Sequence, residues 1–149
     1  MIQHITYYSV LFICNTFVSF FVAVLAWQRK HIKGARELVN LMLSVGLWCF
    51  FNFFETASVT QGDKIFWSKL CYLGAISTPV FYLFFVFRYV GKDTYNSITR
   101  KILFFIIPAI TLVLVLTNEY HHLIWTGFSP ISEQTNMMEY YHGIGFWIS

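Results

Sequence analysis

Four apolar blocks, each near the length of a bilayer crossing and separated by short polar stretches, constrain this chain more than any other feature. They cover residues 5–27, 37–57, 65–89 and about 102–117. At ~1.5 Å rise per residue, a helix of about 20 residues crosses a hydrocarbon layer of ~30 Å. In water such blocks would need a cover of charged surface. Only 11% of the residues are charged, against about 25% in ordinary soluble domains. The expected fold is therefore all-α: a multi-pass transmembrane helix bundle, with residues 1–149 forming a single transmembrane domain.

The breaks between blocks set the expected topology. Residues 1–8 have no basic start, and the first block runs into Gln28-Arg29-Lys30 rather than a small-residue cleavage site. It reads as a retained span, not a signal peptide. Arg29, Lys30, Lys33 and Arg36 crowd the first break; Arg88, Lys92, Arg100 and Lys101 flank or occupy the third. The opposite side offers only Lys64 and Lys69. The positive-inside rule then puts both basic loops in the cytoplasm and the N-terminus outside a plasma membrane. Residues 118–142 form an outer segment, polar and aromatic, with Pro130 and the acids Glu119, Glu133 and Glu139. Residues 143–149 turn apolar again and read as the start of a fifth span, so the chain is expected to be a fragment. Pro79 is expected to interrupt the third helix near mid-membrane, because it lacks an amide hydrogen, with Ser77 and Thr78 nearby to satisfy freed carbonyls.

Several functional classes are disfavoured by the residues themselves. Cys14, Cys49 and Cys71 lie inside apolar blocks with no C-x-x-C spacing, so they read as small buried apolar residues. No G-x-x-x-x-G-K-[ST], G-x-S-x-G or H-E-x-x-H occurs, and no catalytic residue or cofactor is expected. A net charge of +3 is too small to argue for nucleic acid.

The candidate site lies at the expected outer end. On the second block, Ser44, Trp48, Asn52 and Glu55 recur at helical spacing and share one face. An acid and an amide on a spanning helix are costly against lipid, so this face should point into the bundle. Glu55 is either an interfacial residue reaching water or part of a pocket that Asn52 deepens. Lys69 and Tyr72 share a face of the third block; Lys69 either snorkels to the interface or pairs with Glu55. After the fourth block come Asn118, His121, His122 and Trp125. Asn118 and His121 either cap that helix, with Trp125 anchored in the interface, or take part in sensing a ligand or proton. No pair of ligands at i, i+4 accompanies the adjacent histidines, so no metal is expected. The resulting candidate ligand pocket is Asn52, Glu55, Lys69, Tyr72, Asn118, His121 and Trp125.

A family resemblance rests on particular residues. They are Tyr72-Leu73-Gly74-Ala75 followed by Pro79, then Leu83-Phe84-Phe85-Val86-Phe87-Arg88-Tyr89-Val90-Gly91, then Pro108. After these comes T-N-x-x-H-x-L-x-W, carried by Thr117, Asn118, His121, Leu123 and Trp125. With these, the sequence resembles the N-terminal seven-helix sensor region of histidine kinases over roughly residues 48–125. The resemblance implies a membrane-embedded signal-input module of a two-component system, reaching about the first four helices. It feeds a cytoplasmic kinase or other output domain, whose phospho-accepting His motif and ATP lid this sequence lacks. The partners implied are the lipid bilayer, that output domain and, as one option, a second copy in a homodimer. The rival readings are a small transporter or transporter subunit, which would need an ionisable group near the midplane, and a structural membrane partner protein.

Overall fold

In the computed structural model, residues 4–91, 97–132 and 135–148 are described. Helices α1 (Tyr7–Gln28), α2 (Ala35–Ala57) and α3 (Gln61–Tyr89) are each long and apolar enough to cross a membrane. At ~1.5 Å per residue they measure about 33, 35 and 44 Å. They follow one another through short turns, and α2 packs against both α1 and α3. Thr6 starts α1 with a reciprocal cap: its hydroxyl accepts from the Ser9 amide at 3.3 Å, and the Ser9 hydroxyl accepts from the Thr6 amide at 3.4 Å. Gly34 precedes α2 at φ +85°, a left-handed conformation that permits the tight α1–α2 turn.

The packing is that of helices in lipid. The buried residues of α1 are Ser9, Thr16, Ser19, Ala23 and Ala26, all small, while Phe17 and Phe21 are 69% and 64% exposed. Small residues let backbones approach where no hydrophobic force separates helix from solvent, and bulky apolar ones face outward. The closest approach is α2 against α3. A Cβ on Gly74 would lie 2.6 Å from the Trp48 amide nitrogen and 2.7 Å from the Ser44 carbonyl. The Thr78 hydroxyl, which bonds the Gly74 carbonyl at 2.8 Å, also reaches the Ser44 hydroxyl at 3.2 Å.

α3 runs through Pro79 as one helix, against the expected interruption. Ser77 and Thr78 turn their hydroxyls back to the Leu73 and Gly74 carbonyls, not to the Ala75 carbonyl that Pro79 leaves without a helical donor. The fourth helix, α4 (Ile98–Leu116), contains Pro108 in the same uninterrupted way. Its apolar part, Lys101–Leu116, is shorter than the three spans before it.

The remainder corrects the all-α expectation to a mostly helical chain. After the single turn α5 (Asn118–His121), β1 (Trp125–Phe128) pairs antiparallel with β2 (Tyr140–His142), with an irregularity between Trp125 and Gly127. Between the strands, backbone bonds Ser129 N to Glu139 O (2.9 Å) and Ser132 N to Met137 O (2.8 Å) extend the hairpin. Where a fifth span was expected to start lies the five-residue α6 (Ile144–Ile148). Gly143 and Gly145 tie it to the loop before β1, donating to Ile124 O at 2.8 Å and Leu123 O at 2.9 Å.

Candidate functional site

The end of α2 is where the hairpin segment, the N-terminus and α3 meet. The last carbonyls of a helix have no partner within it, and here each is met from elsewhere. Phe54 O accepts from the Ser58 amide (2.9 Å) and hydroxyl (2.7 Å); Glu55 O accepts from Lys64 Nζ at 3.1 Å. Thr56 O accepts from Asn136 Nδ2 at 2.9 Å, and Ala57 O from the His4 amide at 2.7 Å. Asn136 Nδ2 also donates to Ser58 O at 3.0 Å, while its own carbonyl accepts from Lys64 Nζ at 2.7 Å. Lys64 is only 2% exposed. Its ammonium thus joins the end of α2 to Asn136, which lies 72 residues beyond Lys64 in the chain.

Glu55 stands beside this knot. Its carboxylate accepts from the Tyr140 hydroxyl at 2.7 Å and from Cys71 Sγ at 3.5 Å, so one side chain joins α2, α3 and β2. Tyr140 continues the connection through aromatic contacts. Its ring lies 5.5 Å from that of Trp125, which in turn meets Tyr72 edge-on at 5.6 Å. Trp125 and Ile124 are buried with Val115 as the core of this end. Burial pushes the Tyr140 phenol above its ordinary pKa, and the neighbouring Glu55 charge adds to the rise. The phenol therefore stays protonated, as a donor to Glu55 must.

Asn118 holds the start of β1. Its Oδ1 accepts from the Ile124 and Trp125 amides at 2.9 and 3.0 Å, and its Nδ2 donates to Trp125 O at 2.9 Å. One buried amide side chain thereby satisfies three backbone groups of an otherwise irregular loop. A cleft of ≈ 490 Å³ lies between this hairpin loop and the α2–α3 turn, lined by Glu55, Lys64, Ser132, Asn136 and Glu139 among others.

The seven predicted residues divide into two groups. Glu55, Tyr72, Asn118 and Trp125 form one contiguous set with Tyr140. Asn52, Lys69 and His121 have other partners. Asn52 Nδ2 turns back to Trp48 O at 2.8 Å. Lys69 pairs with Glu119 at 2.7 Å rather than with Glu55, because the turn of α5 brings that acid over α3. The Lys69 bond and charge hold the Glu119 carboxyl below its ordinary pKa. His121 closes the loop after α5: its Nδ1 accepts from the Leu123 amide at 3.0 Å and its Nε2 meets the Thr117 hydroxyl at 3.1 Å. An accepting Nδ1 puts the proton on Nε2, so His121 donates to Thr117. The Thr117 hydroxyl donates to Val113 O at 2.7 Å.

Lys64, Asn136, Tyr140 and Cys71 are the residues that sequence reasoning missed. Of these, Asn136 takes φ +52° in the fold, a conformation that asparagine tolerates better than most residues. Among the described residues, no group of three or more His, Cys, Asp or Glu side chains gathers as metal ligands would.

The family model for the N-terminal 7TM region of histidine kinase matches residues 11–149. This chain belongs to that family. The match extends the resemblance beyond residues 48–125 to almost the whole chain, hairpin included. A 7TM region of this kind is a membrane sensor region rather than a catalytic domain, and full-length histidine kinases join it to a kinase output domain. Neither curated proteins nor solved structures yield a match.

Proposed function

We propose that this 7TM-region chain is the signal-input part of a histidine kinase-type protein, and that Glu55 is the switch residue of its input site. The observation that carries the reading is the Tyr140 to Glu55 hydrogen bond at 2.7 Å, made beside a cleft and linking residues 85 positions apart. A ligand entering the cleft meets a carboxylate, a buried ammonium and exposed backbone of the hairpin loop. One that competes for Glu55 frees Tyr140 and, with it, the hold of β2 on Trp125 and Tyr72. Because Glu55 belongs to α2 and Tyr72 to α3, that release changes how the two helices seat against each other. A local exchange of hydrogen bonds then becomes a helix movement that an output domain can read.

In this reading the whole chain is one transmembrane domain in the plasma membrane. α4 is a fourth span, the N-terminus and hairpin face outside, and the basic loops face a cytoplasmic kinase. The basic bias of the loops supports that orientation. Labelling tests it: a cysteine at Lys33 should react only from inside and one at Tyr120, 88% exposed, only from outside, in a background lacking the native cysteines. For function, Glu55→Gln and Tyr140→Phe in the complete kinase should each change autophosphorylation while membrane insertion is retained. Unchanged output in both variants would remove Glu55 from the signalling path.

A further inference from the structure

The opposite end of the bundle holds a second cleft, of ≈ 560 Å³, which the sensor reading does not use. Four elements contribute cations to its wall: Lys30 just after α1, Lys33 and Arg36 around the α1–α2 turn, Arg88 from α3 and Lys101 from α4. Glu37 is the one carboxylate among the described lining residues, and it lies 4.0 Å from Arg88 Nε.

Topology alone accounts for basic residues in these loops, but not for their convergence on one concavity. Helix electrostatics gives a second indication. Arg88 stands in the last turn of α3, where a cation is favoured, and Lys30 lies just past the C-cap of α1. Arg36 and Lys101 stand in the first turns of α2 and α4, where a cation works against the helix dipole. Neither helix has a side-chain N-cap: Gly34 has none to give and Ser97 makes no such bond. Two positive helix ends and five cations therefore face one polar cleft. Such an arrangement is favoured when an anion occupies it. Beside it, Ile32, Tyr89 and Val90 are 51%, 71% and 63% exposed, an apolar rim for the chain of a lipid.

We propose that this cleft binds the phosphate-bearing headgroup of an anionic membrane lipid. The lipid would fasten the α1–α2 turn to the ends of α3 and α4, independently of Glu55 and of the direction in which the chain crosses the membrane. The test is native mass spectrometry of the 149-residue chain supplied with phosphatidylglycerol or phosphatidylcholine at equal concentration. Phosphatidylglycerol should be retained in preference. The pair Arg36→Gln and Lys101→Gln should weaken it roughly 25-fold, at about fivefold per basic residue removed. Lys33→Gln, in the exposed turn, should weaken it about fivefold and carries the test should the double variant not fold. Equal retention of the two lipids, or undiminished binding by the Lys33 variant, would overturn the proposal. Displacement of the lipid by equimolar inorganic phosphate would overturn it too, by assigning the cleft to free phosphate.

Discussion

The two ends of the helix bundle solve the same problem in opposite ways. Both must finish helices and connect them through polar turns. At the α2–α3 end, polar groups are satisfied by one another: Lys64 and Asn136 cap α2, Asn118 holds β1, and Tyr140 meets Glu55. At the α1–α2 end, five cations line a cleft with a single described carboxylate. The first end is a closed network in which removing one member strands its partners. The second is a cluster of mostly like charge, with Arg88 beside Glu37, in which removing Arg36 relieves the other cations. The same kind of mutation should therefore have opposite signs at the two ends.

The largest effect is expected from Asn136→Ala. It removes both bonds to the Thr56 and Ser58 carbonyls and puts alanine into a left-handed conformation. Stranding buried carbonyls costs about 1–3 kcal/mol each, so a loss on the order of 3 kcal/mol is expected in detergent unfolding. A loss below about 0.5 kcal/mol, the range of ordinary surface substitutions, would mean that the network does not hold this end.

Arg36→Gln tests the other end. In zwitterionic lipid it should raise stability by about 0.3–1 kcal/mol, since the cation opposes the α2 dipole. In anionic lipid the gain should vanish or reverse. Destabilisation in both lipids would erase the contrast between the ends.

The smallest effect belongs to Glu119, whose side chain is exposed although its partner Lys69 is mostly covered. Its carboxyl is held below the ordinary value of 4.5. The stability it contributes is therefore present above that pH and lost as pH falls through the depressed value. Glu119→Gln should cost little at neutral pH, and the difference from wild type should disappear in acid. Exposed pairs of this kind are weak in general.

What was legible in the sequence follows the same division. α1, α2 and α3 were readable because each carries its own signal in an unbroken apolar block. The α1–α2 end was readable as charge. The hairpin was not, since strands of four and three residues have no periodicity to detect. Their pairing is held by Asn118 and by bonds such as Ser129 to Glu139. Lys64 stood out in the sequence only as one of two basic residues on its side, and lysines are rarely buried; only the fold reveals the orphan carbonyls it meets. Lys69 was expected either to snorkel to the interface or to pair with Glu55, and Glu119 could not be foreseen for a related reason. Glu55 is near it along the helices, but Tyr140 and Cys71 take that carboxylate and α5 offers Glu119 instead.

The most direct test of the account is a double-mutant cycle on Glu55 and Tyr140, read by unfolding in detergent. Glu55→Ala, Tyr140→Phe and the double variant together isolate the energy the two side chains share, since neither single variant keeps the bond. A hydrogen bond to a charged group is worth about 1.5–3 kcal/mol, so a coupling near 1.5 kcal/mol or above is expected. Additive effects, with coupling within about 0.3–0.5 kcal/mol of zero, would contradict the link between the hairpin and α2 on which the sensor reading depends.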